Sequence, residues 1–217
     1  MEKLTIKWLC LSVGLLTAFV LWTVLLGVVD VRPVGPNGSA VGFATVNLWF
    51  HGLTGVHMTL YVVTDWLGLL PVAVCVGFAV LGLVQWIKRR RILRVDASIL
   101  VLGGFYIAVI AIYLLFEKLA VNYRPVLING YLEASYPSST TVLVLTVMPT
   151  AAMQLSARMR SGRARKLIVT ALVGFTVFMV VGRLLSGVHW LTDIVGGALL
   201  SGGLVSLYQA ACARLRK

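Results

Sequence analysis

The sequence predicts an all-α fold, a polytopic membrane bundle of six transmembrane helices with an outer-face active site. Three observations carry that prediction. Of the 217 residues, 59% are apolar and only 12% charged, and the mean hydropathy is +0.96, the balance of an integral membrane protein. Six apolar runs approach the roughly 20 residues a helix needs to cross a bilayer. Basic residues, finally, collect at one end of those runs and chemistry-bearing residues at the other.

The runs lie near 5–29, 64–87, 97–117, 139–157, 167–186 and 190–212. The first follows Glu2-Lys3 and lacks a short apolar core with a small-residue cleavage site, so it reads as a retained helix rather than a removed signal peptide. Trp49, Trp66, Trp86 and Trp190 fall near span ends, where an aromatic belt places them. Pro149 lies inside the fourth run and predicts a kink. Gly196-Gly197 and Gly202-Gly203, with Ser201 between them, lie inside the sixth and read as close helix packing rather than a phosphate loop. No linker, charge block or repeat divides the chain, so residues 1–217 read as one domain. Cys10, Cys75 and Cys212 scatter over different spans without ligand spacing, which indicates neither a zinc site nor a disulfide framework.

Six spans put both termini on one side. That side carries Lys3, Lys7, Lys88, Arg89, Arg90, Arg91, Arg94, Arg158, Arg160, Arg163, Arg165, Lys166, Arg214, Arg216 and Lys217, most of the 19 basic residues. The positive-inside rule makes it the cytoplasm. The net charge of +12 is thus mainly a topology signal. A nucleic-acid partner would ask for aromatic or base-reading side chains near these clusters, so none is expected. The arginines of the 88–94 loop could also meet anionic headgroups, although orientation alone explains them.

Arg32, Lys118, Arg124 and Arg183 remain on the outer side, with His51, His57, His189, Asp30, Asp65, Glu133 and Asp193. Gly182-Arg183, five residues, His189, three residues and Asp193 fall where the fifth span ends and the sixth begins. On a helix His189 and Asp193 would lie one turn apart on one face. The plain reading is an interfacial histidine and a capping aspartate. The chemical one is an imidazole held in one tautomer by a carboxylate, its other nitrogen free as base or nucleophile, beside an arginine that grips an anion.

Between the third and fourth spans the chain reads Glu117-Lys118, five residues, Arg124-Pro125, and then Tyr136-Pro137-Ser138-Ser139-Thr140-Thr141. Pro137 suits a first helical turn. The N–H groups and hydroxyls of Ser138, Ser139 and Thr140 would then form either an ordinary cap or an anion cradle at a helix N-terminus. His51 and His57 lie in a stretch, Val41 to Val56, that reads as an interfacial helix, where a histidine beside Trp49 and Phe50 needs no catalytic role.

Together these segments resemble the type 2 phosphatidic acid phosphatase (PAP2) superfamily, whose pattern is Lys-x6-Arg-Pro, Pro-Ser-Gly-His and Ser-Arg-x5-His-x3-Asp. The resemblance covers about 97–212 and implies a six-helix phosphatase of the membrane lipid branch that works without metal or other cofactor. It makes His189 the nucleophile and Asp193 its orienting partner. Lys118, Arg124, Ser138, Ser139, Thr140 and Arg183 would hold the phosphate oxygens, a task that suits cations and N–H groups.

Three departures stand out. Thr140 occupies the place of the histidine expected to protonate the leaving group, and a threonine hydroxyl is a poor acid. Another group donates that proton, the leaving group needs little protonation, or the position has been altered. Glu117 stands at the expected lysine position; Lys118, one residue on, falls about 120° away on a regular helix but stays a candidate because Arg124 precedes a proline and so leaves helical geometry. Gly182 replaces a serine, at the loss of at most one hydrogen bond.

The implied function is removal of phosphate from a lipid or polyprenyl (di)phosphate at the outer face of the cytoplasmic membrane, through a phosphohistidine. Membrane lipids and that substrate are the expected partners, with undecaprenyl diphosphate foremost, because a phosphate leaving group depends less on an acid than an alkoxide does. The alternatives are a lipid phosphotransferase and a non-catalytic protein that binds or transports lipid phosphate on the same scaffold.

Overall fold

The computed structural model describes residues 2–160 and 162–215, and helices form wherever the sequence has an apolar run. In chain order these are α1 (Glu2–Leu26), α2 (Ala44–Thr54), α3 (Met58–Leu67), α4 (Leu69–Arg89), α5 (Ala97–Leu119), α6 (Ser139–Arg158), α7 (Arg163–Leu185) and α8 (Leu191–Leu215). Among the described residues six segments are long and apolar enough to cross a membrane, α3 and α4 together making the second. No strand occurs among them; isolated bridges pin the loops.

The second span starts at Met58 rather than near 64. Thr59, Thr64 and Asp65 dilute its apolar signal, but Thr64 hides its hydroxyl on the carbonyls of Leu60 and Tyr61, each at 2.9 Å. The break between α3 and α4 follows from Pro71, which has no N–H to give to Leu67. Pro149 does not stop α6, which runs on to Arg158. Trp49, Trp66 and Trp86 are exposed, as a belt requires, whereas Trp190 is buried. Arg216 and Lys217 of the basic cluster lie outside the described residues.

The helices α6 and α8 are the most buried of the six spans. Hidden from lipid, they carry the Thr, Ser and Gly that the outer helices replace with Val and Leu. Gly203 lets α1 lie directly on α8: a Cβ there would meet Leu16 at 2.7 Å, and the Gly203 carbonyl accepts the Ser12 hydroxyl at 2.9 Å. Gly196 makes room for the Tyr136 ring. That ring packs with Phe19 and Phe116 at centroid distances of 6.1 and 5.9 Å and shares a 2.7 Å hydrogen bond with Thr23. Losing such a buried aromatic costs about 3–5 kcal/mol.

At one end of the bundle Asp96 joins Gln85, Arg89 and Arg158, with Arg89 at 2.9 Å. The Gln85 amide and then the Arg89 guanidinium hold its carboxyl below the usual range. At the opposite end α5 and α7 finish, α6 and α8 begin, and the loop between α5 and α6 folds over them. The candidate residues gather there.

Candidate active site

The loop from Ala120 to Ser138 is a hairpin. Ile128 and Tyr131 exchange backbone hydrogen bonds of 3.0 and 2.9 Å around Asn129-Gly130, both at positive φ, the dihedrals that favour Asn-Gly in a two-residue turn. Further down, Arg124 N–H donates to the Glu133 carbonyl at 3.0 Å and Ser135 N–H to the Asn122 carbonyl at 2.8 Å. This ladder turns Arg124 inward, where it is 8% exposed and 3.1 Å from the Glu133 carboxylate.

The hairpin leads through Pro137 into α6. Ser138 spends its N–H on the Asp193 carbonyl at 3.2 Å, and its hydroxyl accepts from Thr141 at 3.0 Å. The anion cradle is therefore narrower than the sequence suggests, consisting of Ser139 and Thr140, both of which line the cavity described below.

The helix α7 delivers Arg183, 1% exposed. Its Nη2 meets Asp65 Oδ1 at 3.1 Å, and its Nη1 donates to the Tyr61 carbonyl and the Thr64 hydroxyl, each at 3.3 Å. The chain then turns sharply at Gly187, whose φ of +69° and closeness to the Gly55 carbonyl exclude a side chain. His51 Nε2 lies 3.1 Å from the Gly187 carbonyl, and His57 N–H donates to Ser186 at 2.9 Å. His51 and His57 thus brace this turn and do not line the cavity.

The turn presents His189, which stands just before α8 rather than on it. Its Nδ1 is 3.5 Å from Asp193 Oδ2, the oxygen that also accepts the Trp190 N–H at 2.9 Å. Asp193 therefore caps the first turn of α8 in the manner of a capping box while it faces the imidazole. Among the described residues neither ring nitrogen has a well-formed hydrogen bond, although the Ser135 backbone is a polar neighbour of the ring. Burial, and after it the charges of Arg124 and Arg183, push His189 well below its ordinary pKa. The imidazole is neutral at pH 7 and has a lone pair to offer.

A cavity of about 530 Å³ opens at His189, Arg124, Ser139 and Thr140. Its other wall is apolar, formed by Leu69, Val109, Ile112, Phe116, Leu143 and Leu200. From Glu117 to Val109 that wall descends along α5 by about 12 Å, at 1.5 Å per residue. Glu117 lines the cavity and Lys118 does not: α5 stays helical through Leu119, so the offset of one residue turns Lys118 aside. Asp65 and Glu133 complete the polar rim.

Sequence reading missed Tyr61 and Thr64, which reach Arg183 from a helix outside the recognised motifs. It also missed the basis of Gly182, where a Cβ would meet the Thr64 methyl at 2.9 Å. That glycine admits α3 against α7. Asn122 and Ser135 were missed too. Among the described residues their buried Nδ2 and Oγ have no other hydrogen-bond partner, nor has Asp193 Oδ1, and both side chains are polar neighbours of the Asp193 carboxylate.

Compared with known structures, the chain is similar to the first transmembrane PAP2 type phosphatidylglycerolphosphate phosphatase from Bacillus subtilis. The TM-score is 0.56 and the identity 15%, over 94% of this chain and 96% of that one, a likeness of fold. Comparison with curated proteins finds no match. The family model of the PAP2 superfamily matches residues 116–214, the stretch that holds Arg124, Ser139, Thr140, Arg183, His189 and Asp193, and over that stretch the chain is similar to the PAP2 superfamily.

Proposed function

We propose that the protein is a membrane phosphatase that removes phosphate from a lipid or polyprenyl (di)phosphate, with all six spans acting as one unit. The observation that carries this reading is the buried, neutral His189 beside Asp193, at the polar end of a cavity whose other wall is apolar and runs along α5, a candidate membrane span. An amphiphile fits that division, its phosphate among Arg124, Ser139, Thr140 and Arg183 and its chain along α5.

In the proposed path the His189 lone pair on Nε2 forms a P–N bond as the P–O bond to the leaving group breaks. Asp193 balances the charge that appears on the ring. Water then breaks the P–N bond, releasing phosphate and restoring the neutral imidazole. Thr140 supplies no acid, so a leaving group that departs as a phosphate anion is favoured over an alkoxide, and undecaprenyl diphosphate is the first substrate to test. The basic loops at the far end support a reading with the termini in the cytoplasm and the cavity at the outer face of the cytoplasmic membrane.

Thr140 and Glu117 favour a second reading, a protein that grips lipid phosphate without turning it over. Purified protein in detergent, with and without chelator, separates the two when offered undecaprenyl diphosphate, phosphatidate and phosphatidylglycerol phosphate beside a His189→Ala control. Phosphate release that survives chelator and is lost in the variant supports the phosphatase. Binding without release in the wild type supports the second reading.

A further inference from the structure

We infer that Tyr61 is a positioning residue of the phosphate site, its ring in contact with both Arg124 and Arg183 and holding the two in place. The inference rests on the reading above that these two arginines grip the substrate phosphate. The guanidinium carbon of Arg183 lies 4.6 Å from the Tyr61 ring centroid and that of Arg124 lies 5.7 Å from it, both inside the range of cation–π attraction.

Two guanidiniums repel each other, and Arg183 is 1% exposed and Arg124 8%, so water screens that repulsion poorly. A neutral ring with a negative face is the side chain that can lie against both without neutralising either. A carboxylate between them would compete with the phosphate. Asp65 and Glu133 sit instead at the rim, each exposed and 3.1 Å from one arginine, and Glu117 also lines the cavity. Among the described residues Arg124 Nη1 and Arg183 Nε have no hydrogen-bond partner; Arg124 lines the cavity and Arg183 stands outside its lining.

The backbone of α3 adds to this. Arg183 Nη1 donates to the Tyr61 carbonyl at 3.3 Å, so the residue that supplies the ring also fixes the depth of the guanidinium. Tyr61 does not line the cavity, and its effect passes through the arginines alone. It lies outside residues 116–214, so no motif in the matched segment marks it.

The test compares Tyr61→Phe with Tyr61→Leu in full-length protein in detergent, each first checked for a single monodisperse species. The readouts are inhibition of phosphate release by orthovanadate and the split between KM and kcat. If no substrate is turned over, vanadate binding read as a thermal shift replaces them, which keeps this inference testable when the phosphatase reading fails. Tyr61→Phe retains the ring face and is expected within about twofold of wild type. Tyr61→Leu is expected to weaken vanadate roughly tenfold and to raise KM more than it lowers kcat, the worth of one to two partly desolvated cation–π contacts. A folded Tyr61→Leu protein with wild-type vanadate affinity overturns the inference. So does a Tyr61→Phe protein as weak as the leucine variant, since the hydroxyl would then be the acting group.

Discussion

His189 Nδ1 stands 3.5 Å from Asp193 Oδ2, beyond the usual span of an N–H···O hydrogen bond, while the same oxygen accepts the Trp190 N–H at 2.9 Å. One carboxylate oxygen thus closes the first turn of α8 and faces the imidazole. The capping geometry and the placement that the chemical reading of His-x-x-x-Asp asks for meet in this one aspartate. Catalytic hydrogen bonds in empty sites are often long and tighten when substrate binds, and the capping bond keeps the carboxylate within reach until then.

Asp193→Asn keeps a cap acceptor but cannot balance an imidazolium. It is expected to lower kcat by about 10²–10⁴, by analogy with carboxylates that orient a catalytic histidine, with a smaller change in KM. Steady-state phosphate release measures it, and a loss confined to KM would contradict the orienting role.

The pH dependence follows from His189. Its pKa is pushed down by burial and by Arg124 and Arg183, so the neutral nucleophile persists as pH falls through the ordinary histidine value near 6.5. The acid limb of kcat/KM, which reports the free enzyme, is therefore expected well below 6.5. Stability carries the matching sign. The unfolded chain binds a proton here that the folded one refuses, so folding weakens as pH drops below the unfolded value. A kcat/KM profile halved near 6.5 by His189 would contradict this.

Thr140→His places an acid at the mouth of α6. Phosphate monoesters, whose alkoxide needs a proton, are expected to gain at least about tenfold in kcat, from a mechanism that supplies 10²–10⁴ where it operates fully. Diphosphates should gain less. Parallel assays of phosphatidate and undecaprenyl diphosphate give the ratio, and equal gains would place the missing acid elsewhere.

Gly187→Ala puts a side chain at φ +69° against the Gly55 carbonyl. A loss of at least about 2 kcal/mol is expected from strain and clash combined, read as a lower Tm in detergent. Activity should fall as well, because this turn presents His189. An unchanged Tm would show that the turn relaxes freely.

The six spans were legible because length and apolarity are local properties, and the pairing of His189 with Asp193 because only three residues separate them. Tyr61 was not, since it stands 122 positions before Arg183 and no spacing rule joins them. Ser138 shows another limit: the sequence displays its N–H at a helix start, and only the fold gives that N–H to Asp193. Gly182 is similar, its missing Cβ explained by Thr64 on a helix the motifs do not mention. Lys118 was a matter of phase, settled by α5 continuing through Leu119.

The most direct test of the central claim is rapid-quench trapping with substrate labelled in the phosphate that is cleaved, followed by peptide mapping. The account predicts acid-labile, base-stable phosphate on the peptide carrying His189, absent in His189→Ala and accumulating when hydrolysis is slowed. Turnover without that label, or label on a serine or threonine of the α6 N-terminus, would contradict it.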